Sequence, residues 1–518
     1  MSEFLDAEAR ERGTRFLIYP QNKKLEGFAQ PEVVYLNVPP GSIKAGPEDD
    51  RMYVIDAKNK KPYRFKGEGP GYVGSRFPPV QPNAQGHFDH IKPDERAFSS
   101  MTMFAMVRRT LEIWEDYFGH RIKWPFSFSK LELIPRVEWD NAHSGPGFIE
   151  FGFPCVERER KSFNCKTLDY SNPYCENFDV LAHEIGHIIK NAVIKQPDSE
   201  AKETEEYQGH HEAFGDIVAI VASLHFNSIV EHLLENTKGN LFSVHELSRV
   251  GELDKTRTIR IAFNGKKLSD IKPIFDERRG KWVREEHQLS EPFTGGAFDV
   301  LVEVFQHNLI EKGLISKELG KRSYHVNKPE EVRDIQREFE QCYQGREGEF
   351  KDALLKARDY FGQLMAKAWS KTSPNDLYYW KVLNNMIVAD QELSNGKYEQ
   401  TIRDSFKWRE ITTDAFYRQI IKTHIVDELI NLSTEDEMGY KNFQNSIEDN
   451  ISTISIYQFV FAMKAIAEND LWDDLVYYFE EKRQDKISFS SDHVTLLKEI
   501  FIEKIKEGKP INKRGLLL

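Results

Sequence analysis

Residues 179–190 read DVLAHEIGHIIK, an apolar segment that carries His183, Glu184 and His187. Histidines four residues apart lie on one face of a helix, so both imidazoles can reach a single metal ion. The glutamate after the first histidine lies beside that face, where it can take a proton from a metal-bound water. The segment therefore predicts a helix over residues 177–191 that carries two zinc ligands and a general base. The alternative is a core helix whose histidines make ordinary hydrogen bonds.

A catalytic zinc site also needs a third protein ligand and one open position. One class of zinc enzyme supplies a third histidine six residues after the second, following a glycine at the third position. Here those positions are Val193 and Lys190, which excludes that class. The remaining alternative is a glutamate on a second helix.

A second apolar helix, predicted over residues 209–226, begins GHHEAFGDIVAIV and offers such a ligand in Glu212. Burying an acid on an apolar helix costs free energy unless the acid has a partner. One zinc ion would explain Glu212 as the third ligand and Asp216, one turn later, as the hydrogen-bond acceptor of a ligand histidine. His210 and His211 compete for the ligand role, although the sequence favours Glu212.

The paired segments DVLAHEIGH and HEAFGD resemble those of the thermolysin-like zinc peptidases, which use two histidines and one glutamate as ligands. The similarity extends more loosely from about residue 98 to residue 415. It implies an α+β fold of two lobes, with a β-rich N-terminal lobe, a helical C-terminal lobe and the zinc site between them. It also implies one catalytic zinc ion and a peptide or protein substrate.

The resemblance further implies residues that bind the substrate and stabilise charge. The segment NAHSGPGFIEFG (141–152) is similar to the family's edge strand, in which Asn141 and the backbone of Ala142 would hydrogen-bond the peptide. A histidine, a tyrosine and an arginine would stabilise the developing oxyanion. The candidates for these roles are His287, Tyr207 and Arg260. Tyr207 has an alternative role, which is to cap or pack its helix.

The chain departs from the family pattern in several places. Between His187 and Glu212 lie 24 residues, a few more than is usual. Ser223 occupies the position of a calcium-binding glutamate, which speaks against structural calcium, although Asp179 stands where another calcium ligand would be. Asp179 is otherwise a candidate, with Asp216, for a carboxylate that supports the zinc ligands from behind. The N-terminus shows no apolar signal segment and no pro-segment is recognisable, so a calcium-free cytoplasmic relative is expected.

Four regions are predicted along the chain. Residues 1–95 are rich in Pro and Gly, with strand-like runs in EVVYLNV and, as a pair joined by KNKK, in RMYVIDAKNKKPYRF. Residues 96–192 form an α+β catalytic lobe that ends with the zinc-binding helix. Residues 193–415 form a helical lobe with the glutamate ligand. Residues 416–518 carry apolar stripes at helical spacing and are predicted to form a helical accessory domain.

The composition is that of a folded, acidic protein, with 40% hydrophobic residues and a formal net charge of −12. That charge argues against general binding to nucleic acid or to an anionic membrane. The longest apolar runs, such as IVAIVASLHF at 217–226, are far shorter than the roughly 18 residues that span a membrane. Four cysteines are too few for a disulfide scaffold, so reduced thiols are expected at Cys155, Cys165, Cys175 and Cys342.

The sequence thus predicts a zinc-dependent peptidase, with endopeptidase activity expected. A weaker alternative is an aminopeptidase of the same zinc class, because GFIEF at 147–151 faintly resembles a strand that holds a free amino terminus, with Glu150 as the anchor. Another alternative is a zinc-stabilised protein whose main role is to bind a protein partner through residues 416–518. The presence of Glu184 argues against an inactive enzyme.

Overall fold

The computed structural model describes residues 2–63, 69–158, 165–242, 249–254, 257–276, 281–325 and 329–412. The chain divides into two compact units, Met1–Ile411 and Thr412–Leu518. The predicted helical domain at 416–518 lies outside the described residues. Within the first unit the fold is a mixed α+β arrangement, with short strands in several small sheets and helices dominant from residue 178 onward.

The N-terminal part of the first unit packs two helices against short strands. Helix α1 (Ser2–Arg12) precedes β1 (Thr14–Ile18), which pairs antiparallel with β2 (Glu32–Leu36). Helix α2 (Ala97–Phe118) is buried over most of its length, and it contacts β1 and the helices of the C-terminal part. It ends at Gly119, whose left-handed backbone conformation is typical of a helix C-terminus. Helix α2 therefore runs through the centre of the core.

A four-stranded mixed sheet leads up to the predicted zinc helix. Its strands, in spatial order, are β3 (Met52–Val54), β4 (Leu131–Ile134), β6 (Phe148–Phe151) and β5 (Ala142–Gly145). β3, β4 and β6 are parallel, and β5 returns antiparallel beside β6. Among the described residues no strand pairs with the outer side of β5. Strand β5 also contacts helix α3 (Phe178–Val193), so the open edge of the sheet borders that helix.

Three antiparallel hairpins account for the other strands. They are β7 (Cys155–Arg158) with β8 (Cys165–Leu168), β9 (Arg249–Asp254) with β10 (Arg257–Ile261), and β11 (Ile274–Asp276) with β12 (Lys281–Val283). The last hairpin ends at Val283, shortly before the helix that begins at Glu286.

The remaining helices form the second half of the core. After α3 they are α4 (Glu205–Ser223), α5 (Asn227–Thr237), α6 (Glu286–Glu311), α7 (Lys317–His325), α8 (Pro329–Tyr343), α9 (Glu347–Ser370), α10 (Tyr379–Ser394) and α11 (Glu399–Lys407). Helix α4 packs against both α3 and α6. The ring of Trp369 lies 5.2 Å from Trp114 and 3.7 Å from Phe214, centroid to centroid, and joins α9 to α2 and α4. One continuous core therefore positions α3 beside α4.

The N-terminal region differs from its prediction in two ways. Helix α1 was not expected. The predicted strand pair across KNKK does not form among the described residues, since residues 61–63 are irregular and residues 64–65 lie outside the described part of the chain. Strand β3 pairs instead with β4, nearly 80 residues away in the chain. Lys60, within KNKK, is buried and donates to Glu150, so this segment anchors the chain to the sheet instead of turning a hairpin.

The prediction of four reduced thiols is wrong for two of them. Cys155 and Cys165 form a disulfide that closes the β7–β8 hairpin, whereas Cys175 and Cys342 are free. The spacing of the cysteines did not reveal this bond. Disulfides persist mainly in oxidising compartments, so this bond does not support the predicted cytoplasmic location.

No single helix among the described residues is both long and apolar enough to cross a membrane. The bent pair α4 and α5, which meet at 90°, passes a test of length and composition only when the two helices are taken together. Much of both helices is buried within the core.

Candidate metal centre

Helix α3 presents both predicted zinc-binding histidines on one side. His183 and His187 are buried, with 6% and 8% of their surfaces exposed, and their rings meet edge to face with centroids 4.6 Å apart. Ile185 and Ile189 are fully buried in the core. Glu184 is more accessible than either histidine. One helix therefore contributes both to the core and to a cluster of polar side chains, and the zinc-binding role of its histidines stays a prediction.

Two glycines allow α4 to approach α3 closely. A Cβ atom on Gly186 would lie 2.8 Å from the Cα of Gly215, which is closer than such atoms come in proteins. A Cβ atom on Gly215 would lie 2.7 Å from Nδ1 of His183. Any larger residue at either position would push the two helices apart. The short distance between their backbones brings Glu212, one turn before Asp216 on α4, to the histidines of α3.

The three predicted ligands converge. Oε2 of Glu212 lies 3.4 Å from Nε2 of His183, and Oε1 lies 3.6 Å from Nε2 of His187. In the described part of the chain, His183, His187 and Glu212 are the one group of three His, Cys, Asp or Glu side chains whose donor atoms lie within 4.8 Å of one another. All three residues are buried. The group could hold a metal ion.

Asp216 lies behind this group and is hydrogen-bonded to His183. Nδ1 of His183 donates to Oδ1 of Asp216 over 2.8 Å, and the Asp216 side chain is fully buried. This bond fixes the proton on Nδ1 and leaves the lone pair of Nε2 directed at Glu212. The hydroxyl of Thr294, on α6, donates to the other oxygen of Asp216 over 3.4 Å. Three helices thus set the orientation of the His183 ring.

His287 lies at the edge of the group, where the sequence placed a catalytic histidine. It is the second residue of α6, not part of a loop, and its side chain is 50% exposed. Its Nε2 lies 3.4 Å from Oε2 of Glu212, and its Nδ1 lies 2.5 Å from Oε1 of Glu285. Glu285 also caps α6 by accepting the N–H of Gln288. One carboxylate therefore fixes both the start of the helix and the His287 ring.

The two residues predicted to bind a peptide lie at the start of strand β5, with Asn141 just before the strand and Ala142 as its first residue. Asn141 is exposed and directly precedes the strand, and its carbonyl accepts the N–H of Gly152. Its side-chain oxygen accepts the N–H of Ala142 over 2.9 Å. The residues that follow form strand β5, whose outer edge no other described strand covers. Asn141 orders the first residue of this open edge, and a role for it in peptide binding stays a prediction.

The hydroxyl of Tyr207 already has a hydrogen-bond partner within the protein. The hydroxyl donates to the carbonyl of Lys195 over 3.0 Å, and Nζ of Lys190 lies 3.4 Å from the centre of the ring. Nζ of Lys190 also donates to the Tyr207 carbonyl over 3.2 Å. Burial raises the pKa of the Tyr207 hydroxyl. These contacts tie the end of α3 to the start of α4. They give Tyr207 the alternative role of packing its helix and do not support the predicted oxyanion role.

The structure also places three other residues that the sequence analysis singled out. Arg260 lies in strand β10, and its side chain is outside the described part of the structure. Asp179 lies in the first turn of α3, where it is buried and accepts the N–H of Val180 over 2.8 Å. A negative charge in the first turn is favourable toward the helix dipole. Ser223 is buried at the end of α4.

Glu150, the anchor in the aminopeptidase alternative, is already fully engaged. It has no exposed surface, and its carboxylate accepts hydrogen bonds from Nζ of Lys60, Nε2 of His143 and the N–H of Tyr63, each over 2.6 Å. Burial alone would raise the pKa of Glu150, but the bonds from His143 and Lys60 outweigh it and lower the pKa. A carboxylate with three internal donors cannot also hold a substrate's amino terminus, so this alternative loses its anchor.

Sequence reasoning missed several contributors to the group. Glu285 stands two residues before His287, a spacing that could have indicated a partner for the ring. Gly215 could have been identified as a point of close helix approach, since glycine in an apolar helix often has a packing role. His211 was treated only as a competing ligand, yet its ring stacks on that of His187.

No protein-family model and no curated protein matches the chain. Among solved structures the chain is similar to the precursor of protealysin, a metalloproteinase from Serratia proteamaculans. The two share 12% identity with a TM-score of 0.37, over 71% of this chain and 90% of that chain. A likeness at this level carries no conclusion about the present chain. The case for a function therefore rests on the geometry of His183, His187 and Glu212.

Proposed function

We propose that the chain is a zinc-dependent peptidase that cleaves internal peptide bonds. The observation that carries the proposal is the convergence of His183, His187 and Glu212 within 4.8 Å, with Glu184 next to the first histidine and His287 at the rim. The proposal also draws on the resemblance of the two helix segments to those of thermolysin-like peptidases. Zinc, the endopeptidase type and membership of that family are parts of the proposal.

The residues present fit a catalytic zinc ion. Two imidazole nitrogens and one carboxylate oxygen are a ligand set that zinc takes when its fourth position is open to water or substrate. Structural zinc sites have four protein ligands. His287 does not join the group of three among the described residues, even though its Nε2 lies close to Glu212. This geometry favours an open site over a closed structural one.

The proposed chemistry divides between the metal and the side chains. A zinc ion held by the three ligands would polarise the scissile carbonyl and lower the pKa of a bound water. Glu184 takes the proton from that water and later passes it to the leaving nitrogen. Nε2 of His287 donates a hydrogen bond to the oxygen on which negative charge develops. Donation from Nε2 while Nδ1 is bonded to Glu285 requires a proton on both ring nitrogens, and the carboxylate of Glu285 favours that imidazolium form.

The open edge of the sheet suits an extended peptide. An extended chain can add to an exposed strand edge through main-chain hydrogen bonds, without a requirement for particular side chains. Strand β5 offers such an edge beside α3. The engaged carboxylate of Glu150 gives no anchor for a free amino terminus, which favours an endopeptidase over the aminopeptidase alternative.

Metal content and peptide cleavage together test the proposal. The wild-type chain should bind one zinc ion, and Glu212→Ala should lose it. A mixed library of peptides, half of them N-acetylated, should be cleaved at internal bonds in both halves. Cleavage restricted to free amino termini would instead support the aminopeptidase alternative. One bound zinc ion without any cleavage would support the zinc-stabilised binding protein, for which residues 416–518 would be the partner-binding region.

A further inference from the structure

The ring of His211 stacks on a ligand of the proposed metal. The imidazoles of His211 and His187 are nearly parallel, with an angle of 9° between their planes and 4.2 Å between their centroids. By contrast, the rings of His183 and His187 meet almost at right angles. His211 directly precedes Glu212 on α4, so the stacked ring and the third ligand belong to the same turn.

The stack, and not a hydrogen bond, is the contact that the structure shows for the His211 ring. Within the described residues, Nδ1 of His211 is buried and has no hydrogen-bond partner. Buried polar atoms of this kind are uncommon in folded proteins and call for an explanation. A neutral imidazole with a free face can lie against another ring without repulsion.

His210, its neighbour in the chain, provides the contrast. Its ring is fully buried and lies edge to face against Phe293, with centroids 5.2 Å apart, and also against Phe214. Neither of its nitrogens has a hydrogen-bond partner among the described residues. His210 thus fills the core between α4 and α6, while His211 faces the ligand on α3. The competition between these two histidines for the ligand role is resolved by Glu212, which is the residue that converges with His183 and His187.

We propose that His211 is a positioning residue that holds the plane of the His187 imidazole by ring stacking and so keeps Nε2 of His187 directed at the metal. The inference rests on the metal site of the proposed function. The two ligand histidines are then oriented by different means. His183 is held through a hydrogen bond from Nδ1 to Asp216, and His187 is held through the face of its ring.

Stacking can perform this task because it restricts rotation about the ring's attachment. The Nε2 lone pair of an imidazole lies in the ring plane, so a tilted ring directs the lone pair away from the ion. A parallel neighbour at van der Waals distance disfavours such a tilt. Groups that orient metal ligands typically change metal affinity by about 10- to 100-fold when they are removed. A stacked ring should contribute near the lower end of that range.

The test compares leucine and phenylalanine at two adjacent positions. His211→Leu keeps the volume but removes the flat ring, whereas His211→Phe keeps a ring that can stack. His210→Leu and His210→Phe are the matched controls on the same helix. For all four variants and the wild type, the rate of zinc transfer to a chromogenic chelator and the midpoint of thermal unfolding of the zinc-free protein are measured. Should His211→Leu fail to fold, His211→Ser replaces it.

The expected result is that His211→Leu loses zinc about tenfold faster than the wild type, while His211→Phe stays within about threefold of it. The two variants at His210 should lose zinc at equal rates. The inference is overturned if His211→Leu keeps the wild-type rate, if His211→Phe is no slower than His211→Leu, or if the variants at His210 show the same difference. A wild-type chain that binds no zinc would instead overturn the proposed function itself.

Discussion

Nδ1 of His183 lies 2.8 Å from Oδ1 of the fully buried Asp216, and this bond decides which ring nitrogen faces the candidate metal. Because the proton stays on Nδ1, the lone pair of Nε2 is available for the ion. The first prediction follows from this pair. Asp216→Asn should weaken zinc binding by about 10- to 100-fold, because the imidazole loses the acceptor that orients it. Competition with a chelator of known affinity measures the change.

A second buried aspartate serves as the control for that measurement. Asp390 on α10 is also fully buried, and it accepts from the hydroxyl of Tyr360 and the N–H of Tyr398, away from the metal group. Asp390→Asn should lower stability without changing zinc affinity. Equal zinc affinity in the Asp216 and Asp390 variants would show that Asp216 has only a structural role.

The second prediction follows from the close approach of α3 and α4. Gly215→Ala places a Cβ atom 2.7 Å from Nδ1 of His183, so the ring or the helix must move. We expect zinc binding to fall by about tenfold or more and unfolding stability to fall by about 1–3 kcal/mol. Gly265→Ala is the control, because a Cβ atom there meets nothing within 4 Å. Wild-type zinc affinity in Gly215→Ala would contradict the geometry described for the two helices.

The third prediction concerns the pair of His287 and Glu285. His287→Gln should lower kcat by about 10²- to 10³-fold, with little change in zinc content, because it removes a donor to developing negative charge. Glu285→Gln should give a smaller loss, since the ring remains but is less firmly held. At the other end of α6, His307 and Glu311 form an exposed pair 3.2 Å apart, and His307→Gln should leave kcat unchanged. Equal kcat values for the His287 and His307 variants would exclude a catalytic role for His287.

The fourth prediction concerns stability and pH. Burial, followed by the charge of Arg358, lowers the pKa of His225 from 6.5 to about 4. The unfolded chain therefore takes up a proton on this histidine below pH 6.5, while the folded chain resists protonation until about pH 4. Stability is fully present above pH 6.5 and is lost as the pH falls through 4. The loss amounts to about 3 kcal/mol at most.

Urea unfolding between pH 7 and pH 4 measures this effect. His225→Gln should flatten the profile over that window, because glutamine does not titrate. His120 is exposed, and His120→Gln should leave the wild-type slope intact. A slope that is equally steep in both variants would show that other groups govern the acid sensitivity.

The sequence could predict that His183, His187 and Glu212 lie together because their positions follow local helical periodicity. His183 and His187 share a face of one helix, and Glu212 and Asp216 share a face of another, so few other arrangements bury them all. The prediction could not extend to contacts that depend on how the helices meet. The stacking of His211 on His187 and the steric need for glycine at Gly215 both arise from the way the two helices cross. No local sequence pattern predicts that crossing.

The predicted strand pair and the predicted thiols at Cys155 and Cys165 were wrong for the same reason, and the oxyanion role of Tyr207 stays an unsupported prediction. Tyr207 is polar and close to the ligand in sequence, but its hydroxyl turns toward Lys195 at the end of α3. Strand β3 pairs with β4 across a long stretch of chain, and a parallel pairing leaves no turn signal between its strands. Cys155 and Cys165 lie on the two strands of one hairpin, but its register is irregular, so that Cys155 pairs with Leu168 and Cys165 with Arg158. The disulfide joins the two cysteines across this irregularity, which no local sequence pattern predicts.

The most direct test of the central claim is the rate of internal cleavage of an N-acetylated peptide by Glu184→Gln. The variant should bind as much zinc as the wild type, because Glu184 is not one of the three converging ligands. Its kcat should fall by about 10²- to 10⁴-fold, since the group that takes the proton from water is lost. Wild-type cleavage by the zinc-loaded variant would contradict the account.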